Sequence, residues 1–110
     1  MLNQEAALDR TFRALADPTR RAIVARLARG AAGLSELAEP FDMSLPAVHQ
    51  HVAVLEDAGL IACTKEGRVR RCRLDGRALD RAVGWLDRHR ALWQRRLDAL
   101  GVHLEKGRKP

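Results

Sequence analysis

A chain of 110 residues, 46% of them hydrophobic, supports one domain with a modest core. Its 20 Lys and Arg against 14 Asp and Glu leave a net charge of +6, which points to a polyanionic partner, nucleic acid before an acidic membrane surface. No apolar run reaches the length of a spanning helix, the N-terminus lacks the basic-then-apolar order of a signal peptide, and two cysteines make no secreted disulfide framework, so a cytoplasmic protein is expected.

Gln4 to Ala16 reads as a first helix, with Leu8, Phe12 and Leu15 as its apolar stripe and Ala7 and Ala14 beside it. Asp17-Pro18 is a cap followed by a first-turn proline, which ends one helix and starts another. That second helix is expected from Pro18 to Arg29. Ile23, Val24 and Leu27 face the core, and Arg20, Arg21, Arg26 and Arg29 stay in water. Gly30 stops it, and Ala31-Ala32-Gly33 is expected to be a short loop.

Ser35 to Ile61 reads as two helices joined by a tight turn and followed by a strand. Ser35 is the expected cap of the short first helix. Ser44 caps the second, with Pro46 early enough in it to be tolerated. Val48, Val52 and Leu55 fall on one face of a helix turning about 100° per residue, and Pro46, His49, Gln50 and Ala53 fall on the other. Gly59 ends the helix. Leu37, Phe41, Met43 and Val48 stand where core contacts are wanted, and Ala38 is small where the helices cross. This is the outline of a DNA-binding helix-turn-helix, although Asp42 occupies the turn where many such motifs have Gly. The plain alternative is an αα-hairpin packed in a core.

Leu60 to Thr64 and Val69 to Leu74 are β-compatible, with Lys65-Glu66-Gly67-Arg68 as the turn between them. Lys65, Arg68, Arg70, Arg71 and Arg73 face only Glu66 in charge. A basic hairpin directly after a recognition-type helix is a wing that follows the phosphate backbone or reaches the minor groove. The alternative to a wing is a solvated edge hairpin whose charges discourage aggregation.

Asp75 caps a last helix from about Arg77 to Leu100 or slightly beyond. Leu79, Val83, Leu86, Arg90, Trp93, Leu97, Leu100 and Leu104 form a heptad-like seam interrupted by Arg90, and Ala78, Ala82, Trp85, His89 and Leu92 flank it. A small domain rarely needs two faces of a long helix. One stripe is expected on the core and the other on a second copy of the chain, with the first helix contributing, so the dimer contact is assigned to Leu8, Phe12, Leu86, Trp93, Leu97 and Leu100. A single helix wrapped over its own core is the alternative. The expected fold is mainly α, a winged helix-turn-helix of about five helices plus a two-stranded wing. Residues 1–104 form the domain, and 105–110 a disordered basic tail.

The chain resembles the ArsR family of bacterial winged-helix repressors over nearly its whole length. LADPTRRAIVARLARG resembles the family's second-helix signature, LSELAEPFDMSLPAVHQHVAVLEDAGLI its helix-turn-helix, and KEGRVRRCRLD its wing. The resemblance implies a non-enzymatic homodimeric repressor bound to operator DNA. It places Ser44, Leu45, Pro46, Ala47, His49 and Gln50 at the major groove and Lys65, Arg68 and Arg70 on the wing. Many relatives have Ser-Lys where this chain has His49-Gln50. Gln suits adenine, and His suits guanine or phosphate. His51 borders the core and is read as mainly structural.

Metal sensing in the family uses paired cysteines near the first motif helix, and LSELAEPF has none. Asp87-x-His89 and His103-x-Glu105 resemble the family's other site, but the histidines are 14 apart instead of about eleven, an offset worth about 4.5 Å along a helix. No metal and no cofactor are expected, and the inducer is unknown. Cys63 and Cys72 fall on opposite strands of the hairpin, close to cross-strand neighbours. They are either a redox pair or two small residues in a reducing cytosol. Two other function classes make different demands on the chain. A protein-interaction module would show no preference among DNA sequences. An enzyme would need a phosphate loop or a nucleophile-base pair that the chain does not display.

Overall fold

The computed structural model describes residues 2–101, with side chains from residue 4 onward. The tail, Leu104 and the His103–Glu105 pair lie outside the described residues. The order is α1 Leu2–Leu15, α2 Pro18–Leu27, β1 Ala32–Gly33, α3 Leu34–Ala38, α4 Leu45–Asp57, β2 Ile61–Glu66, β3 Val69–Leu74 and α5 Gly76–Ala99. Among the described residues five helices surround a three-stranded antiparallel sheet of order β1-β3-β2.

The α1–α2 elbow forms where Asp17 accepts from the Arg20 backbone N–H at 3.1 Å and Pro18 brings no N–H to the first turn. That bond comes first among the causes that hold the Asp17 carboxyl below its ordinary value. Helix α2 ends at Leu27, two residues earlier than expected. Turns from Leu27 and Arg26 then lead to Gly30, whose φ of 137° no other residue adopts comfortably. The arginines of α2 do not all stay in water. The Arg20 side chain donates to the carbonyls of Ala14 at 2.7 Å and Arg13 at 3.1 Å, and Arg21 donates to that of Leu15 at 2.8 Å. They cap the free carbonyls at the C-terminus of α1, which a cation favours.

The expected loop at 31–33 contains a strand instead. Ala32 pairs with Cys72 and Gly33 with Arg71. Small residues permit this approach, since a Cβ on Gly33 would stand 3.3 Å from Val69 Cγ1. Gly33, and not Ser35, begins α3. The Glu36 carboxylate reaches back and accepts from the Gly33 N–H at 2.7 Å. Ser35 lies exposed inside the helix. Met43, expected in the core, is also exposed, whereas Phe41 packs partly against it.

The core gathers Ile23 and Leu27 from α2, Leu34 and Leu37 from α3, Val48, Val52 and Leu55 from α4, then Leu60, Ile61, Cys72 and Ala78. Helix α4 thus buries the face its periodicity assigned. Its N-terminus is fixed by Ser44 Oγ, which accepts from the Ala47 N–H at 3.2 Å, and Gly59 turns the chain with φ 76°. The hairpin turn is tighter than expected. Lys65 and Glu66 belong to β2, and only Gly67 and Arg68 connect it to β3. Gly67, at φ 66°, takes the left-handed first position that such a two-residue turn requires.

Asp75 caps α5 by accepting from the Arg77 N–H at 3.1 Å, and its carboxylate also takes the Arg77 guanidinium at 2.7 Å. Those bonds, the side-chain one first, hold its pKa at about 2, down from 3.8. The folded value is the lower one. The cap's contribution is therefore complete above the ordinary value of 3.8 and is lost as pH falls through about 2. Asp75→Asn retains a capping oxygen without the charge. Thermal melts between pH 5 and 2 should fall less steeply for this variant than for the parent protein, and parallel curves would show that the Asp75–Arg77 pair contributes nothing.

Candidate nucleic-acid interface

The free face of α4 and the wing enclose one cleft of about 400 Å³, lined by Leu34, Ser35, Leu45, His49, Lys65, Arg68, Val69 and Arg70. Five residues singled out in the sequence, Leu45, His49, Lys65, Arg68 and Arg70, therefore share a wall of one concavity. Gln50 lies on the adjoining surface of α4 with His49, Ala53, Val54 and Asp57. Ser44 and Pro46 are exposed in the first turn, and Ala47 is half-buried. The N-terminal turn of α4 presents the positive end of the helix at one rim of the cleft, a setting suited to phosphate.

Charge is distributed unevenly over the wing. Lys65 stands directly opposite Arg70, a repulsive cross-strand pair. Glu56, near the end of α4, offsets it: its Oε1 takes the Arg70 guanidinium at 2.8 Å and its Oε2 accepts from the Cys63 N–H at 3.3 Å. Arg70 is thus tied to α4, and the bracket fixes how the wing sits on the recognition helix. Arg73 reaches Glu66 at 3.6 Å on the surface. Among the described residues Lys65, Arg68 and Arg71 make no ion pair. Glu56 carries no signal in the sequence because its partners lie seven and 14 residues away.

A second connection reaches α4 from behind. Arg20 Nη1 lies 3.2 Å from His51 Nδ1, and Asp17 Oδ2 is 3.9 Å from the same nitrogen. Arginine only donates, so Nδ1 accepts and His51 carries its proton on Nε2. The structural role expected of His51 is therefore specific: it joins the α1–α2 elbow to the recognition helix.

The residues that resemble a metal motif are engaged otherwise. His89 Nδ1 donates to the Trp85 carbonyl at 2.8 Å, with its ring stacked on Trp85 at 4.0 Å, and Asp87 pairs with Arg90 at 3.5 Å. No group of three or more His, Cys, Asp or Glu is placed to hold a metal ion among the described residues, and no helix there is long and apolar enough to cross a membrane.

The two stripes of α5 separate in part, because Leu79, which heads the seam, packs against the core. Ala78 and Ala82 are buried, and Trp85 packs edge-on against Phe12 of α1 at 6.1 Å. Val83, Leu86, Trp93 and Leu100 remain 53, 42, 46 and 76% exposed, and Phe12 38%. Leu8 lines a groove between α1 and α5, and Leu97 is half-buried.

Residues 15–64 match a family model described as a helix-turn-helix domain. The chain is 45% identical to the HTH-type transcriptional regulator Rv2034 of Mycobacterium tuberculosis, over 81% of this chain and 80% of that protein. A solved ArsR family transcriptional regulator, RHA00566, superposes with a TM-score of 0.76 at 45% identity, covering 84% of this chain and 93% of its own. The chain belongs to the ArsR family. It is a winged helix-turn-helix transcriptional regulator, with α3 and α4 as the helix-turn-helix and β2–β3 as the wing. Another ArsR-like neighbour, Mb0332 from Mycobacterium bovis, is described as a homodimeric winged helix-turn-helix DNA-binding domain. It has a TM-score of 0.60 at 26% identity, covering 83% of each chain.

Proposed function

We propose that two copies of this ArsR-family chain bind a pseudo-palindromic operator in the cytoplasm and repress by covering promoter DNA. The observation that carries this reading is the single cleft shared by the polar face of α4 and the basic wing. In it α4 enters the major groove. Gln50 and His49 read base edges, while Ser44, Leu45, Pro46 and Ala47 hold the first turn against the backbone. Lys65 and Arg68 lie along phosphate or in the minor groove, with Arg70 supporting the wing through Glu56. The reading includes no enzymatic step and no cofactor.

The apolar strip along α1 and α5 supplies the second half of the proposal. Phe12, Leu86, Trp93 and Leu100 are exposed on it, and Leu8 and Leu97 border it. An exposed strip of this kind fits a two-fold contact that sets two α4 helices at the spacing of two half-sites.

Genomic fragments retained by the purified protein would supply the duplex for fluorescence anisotropy, with a scrambled duplex as control. Gln50→Ala should cost about 1–3 kcal/mol of discrimination at one base position per half-site. Arg68→Ala should weaken binding to both duplexes alike and lower the salt slope by about one per bound subunit. Unchanged preference in Gln50→Ala would show that the reading face is misassigned.

A further inference from the structure

Cys63 of β2 and Cys72 of β3 are directly opposite, with Cα atoms 4.0 Å apart and sulfurs bonded. The Cys63 N–H turns away from β3 to Glu56, so the pair occupies a non-hydrogen-bonded rung, where side chains of an antiparallel ladder stand closest. The next rung on the same face is Lys65 opposite Arg70, and Arg70 is held by the same Glu56. One carboxylate at the end of α4 therefore holds both the sulfur rung and the basic rung. Cys72 is 0% exposed, whereas Cys63 is only partly covered. The pair thus joins one partly covered residue to one sheltered partner.

We propose that Cys63 and Cys72 form a thiol–disulfide exchange site at the base of the wing, whose substrates are small anionic disulfides, and that closing the bond stiffens the wing for DNA. The second half rests on the operator reading above. A regulator that works on DNA in the cytoplasm meets a compartment where thiols are kept reduced, and disulfides found there are usually transient and responsive. The basic hairpin also attracts an anionic oxidant such as glutathione disulfide.

The exchange balances in two steps. The Cys63 thiolate attacks one sulfur of the small disulfide, forming a mixed disulfide and expelling one small thiolate. The Cys72 thiolate then attacks Cys63 Sγ and expels the second. The protein dithiol loses two electrons and two protons, and the small disulfide gains them as two thiols. Reversal needs only an excess of small thiol. The opened pair takes more room, because unbonded sulfurs stand about 3.5 Å or more apart against about 2 Å across a disulfide. Cys72 lies on the central strand, buried and paired on its far side with Ala32. The edge strand β2 must therefore yield, which loosens the Glu56 contact with the Cys63 N–H and the adjoining Lys65 rung. The closed form presents Lys65 and Arg68 already ordered, and preorganisation favours binding.

The test uses the full chain, treated with either glutathione disulfide or dithiothreitol, and then both intact mass and anisotropy on the retained duplex. Oxidised protein should lose two hydrogens with no adduct and bind roughly three- to tenfold more tightly than reduced protein. Cys63→Ser should bind alike under both treatments, at the reduced level, and Cys63→Ala serves the same purpose at this partly exposed position. Two free thiols after oxidation, or a lasting glutathione adduct on Cys63, would overturn the exchange site. Equal affinity of the two states would overturn its effect on the wing. Failure of both states to bind the duplex would count against the operator reading, and the mass change would still decide the exchange.

Discussion

Leu55→Ala is expected to destabilise the domain by about 2–5 kcal/mol, the range for a large-to-small change in a well-packed core. Leu55 is 0% exposed on the inner face of α4, in line with Val48 and Val52. That face packs against α1, α2, α3 and β2, so no single neighbour can collapse into the space the side chain leaves. Alanine is the better helix former, and the Leu60 N–H still bonds the carbonyl of residue 55, so local helix structure is not what is lost. The penalty comes from transfer and from the cavity. For a domain of this size it should lower the melting midpoint by roughly 10 °C or more. Val54→Ala, one residue away but 37% exposed, should cost under about 1 kcal/mol. Denaturant titration of both variants decides the matter. A Leu55→Ala cost as small as that of Val54→Ala would mean that α4 does not present this face to the core.

Features legible in the sequence share a local cause. The buried trio of α4 follows from helical spacing alone, and Ser44 bonds a backbone N–H three residues on. Pro18 and Gly59 act through their own dihedral angles. Only the nearness of the two cysteines could be read from the hairpin; their exact pairing follows from the tighter Gly67-Arg68 connection, which sets Glu66 against Val69, Lys65 against Arg70 and Cys63 against Cys72.

What was not legible depends on partners distant in sequence. Ala32-Gly33 has no alternation to announce a strand, and only β3, some 40 residues later, makes it one. Ser35 was the obvious cap by residue type. Glu36 does the capping because Gly33 is already paired in the sheet and its N–H lies within reach of that carboxylate. Arg20 looked like a solvated charge among four arginines. Its role appears only when the end of α1 and His51 of α4 converge on it. Arg70 is indistinguishable by sequence from the other wing cations because Glu56, which binds it, lies on another element. Of the candidate site, residue types and the shared face could be read in advance. The bracket that orients wing against helix could not.

Leu86→Glu should reduce the assembly to single chains and lower operator affinity by at least about 100-fold. Leu86 is 42% exposed on the outer stripe of α5, so the folded single chain loses little packing when it is replaced. Glutamate is also a good helix former, and α5 should remain intact with a nearly unchanged melting midpoint at low protein concentration. In a two-fold contact the same charge enters from both subunits and must be desolvated against the partner's apolar strip, where Phe12, Val83, Leu86 and Leu100 offer it no donor. Trp93 is a poorer choice for this purpose. It packs edge-on against Trp85 at 6.2 Å, and changing it would disturb the α1–α5 packing as well. The loss of affinity follows from linkage. In a dimer, once one α4 has bound, the second meets its half-site at high effective concentration, and a single chain has no such advantage. Sedimentation velocity and anisotropy on the same samples separate the steps. A shift to single chains with weak, salt-sensitive binding supports the proposed contact. An intact dimer with unchanged affinity would place the subunit interface elsewhere on the molecule. Single chains that bind the operator as tightly as before would show that one wing and one recognition helix suffice.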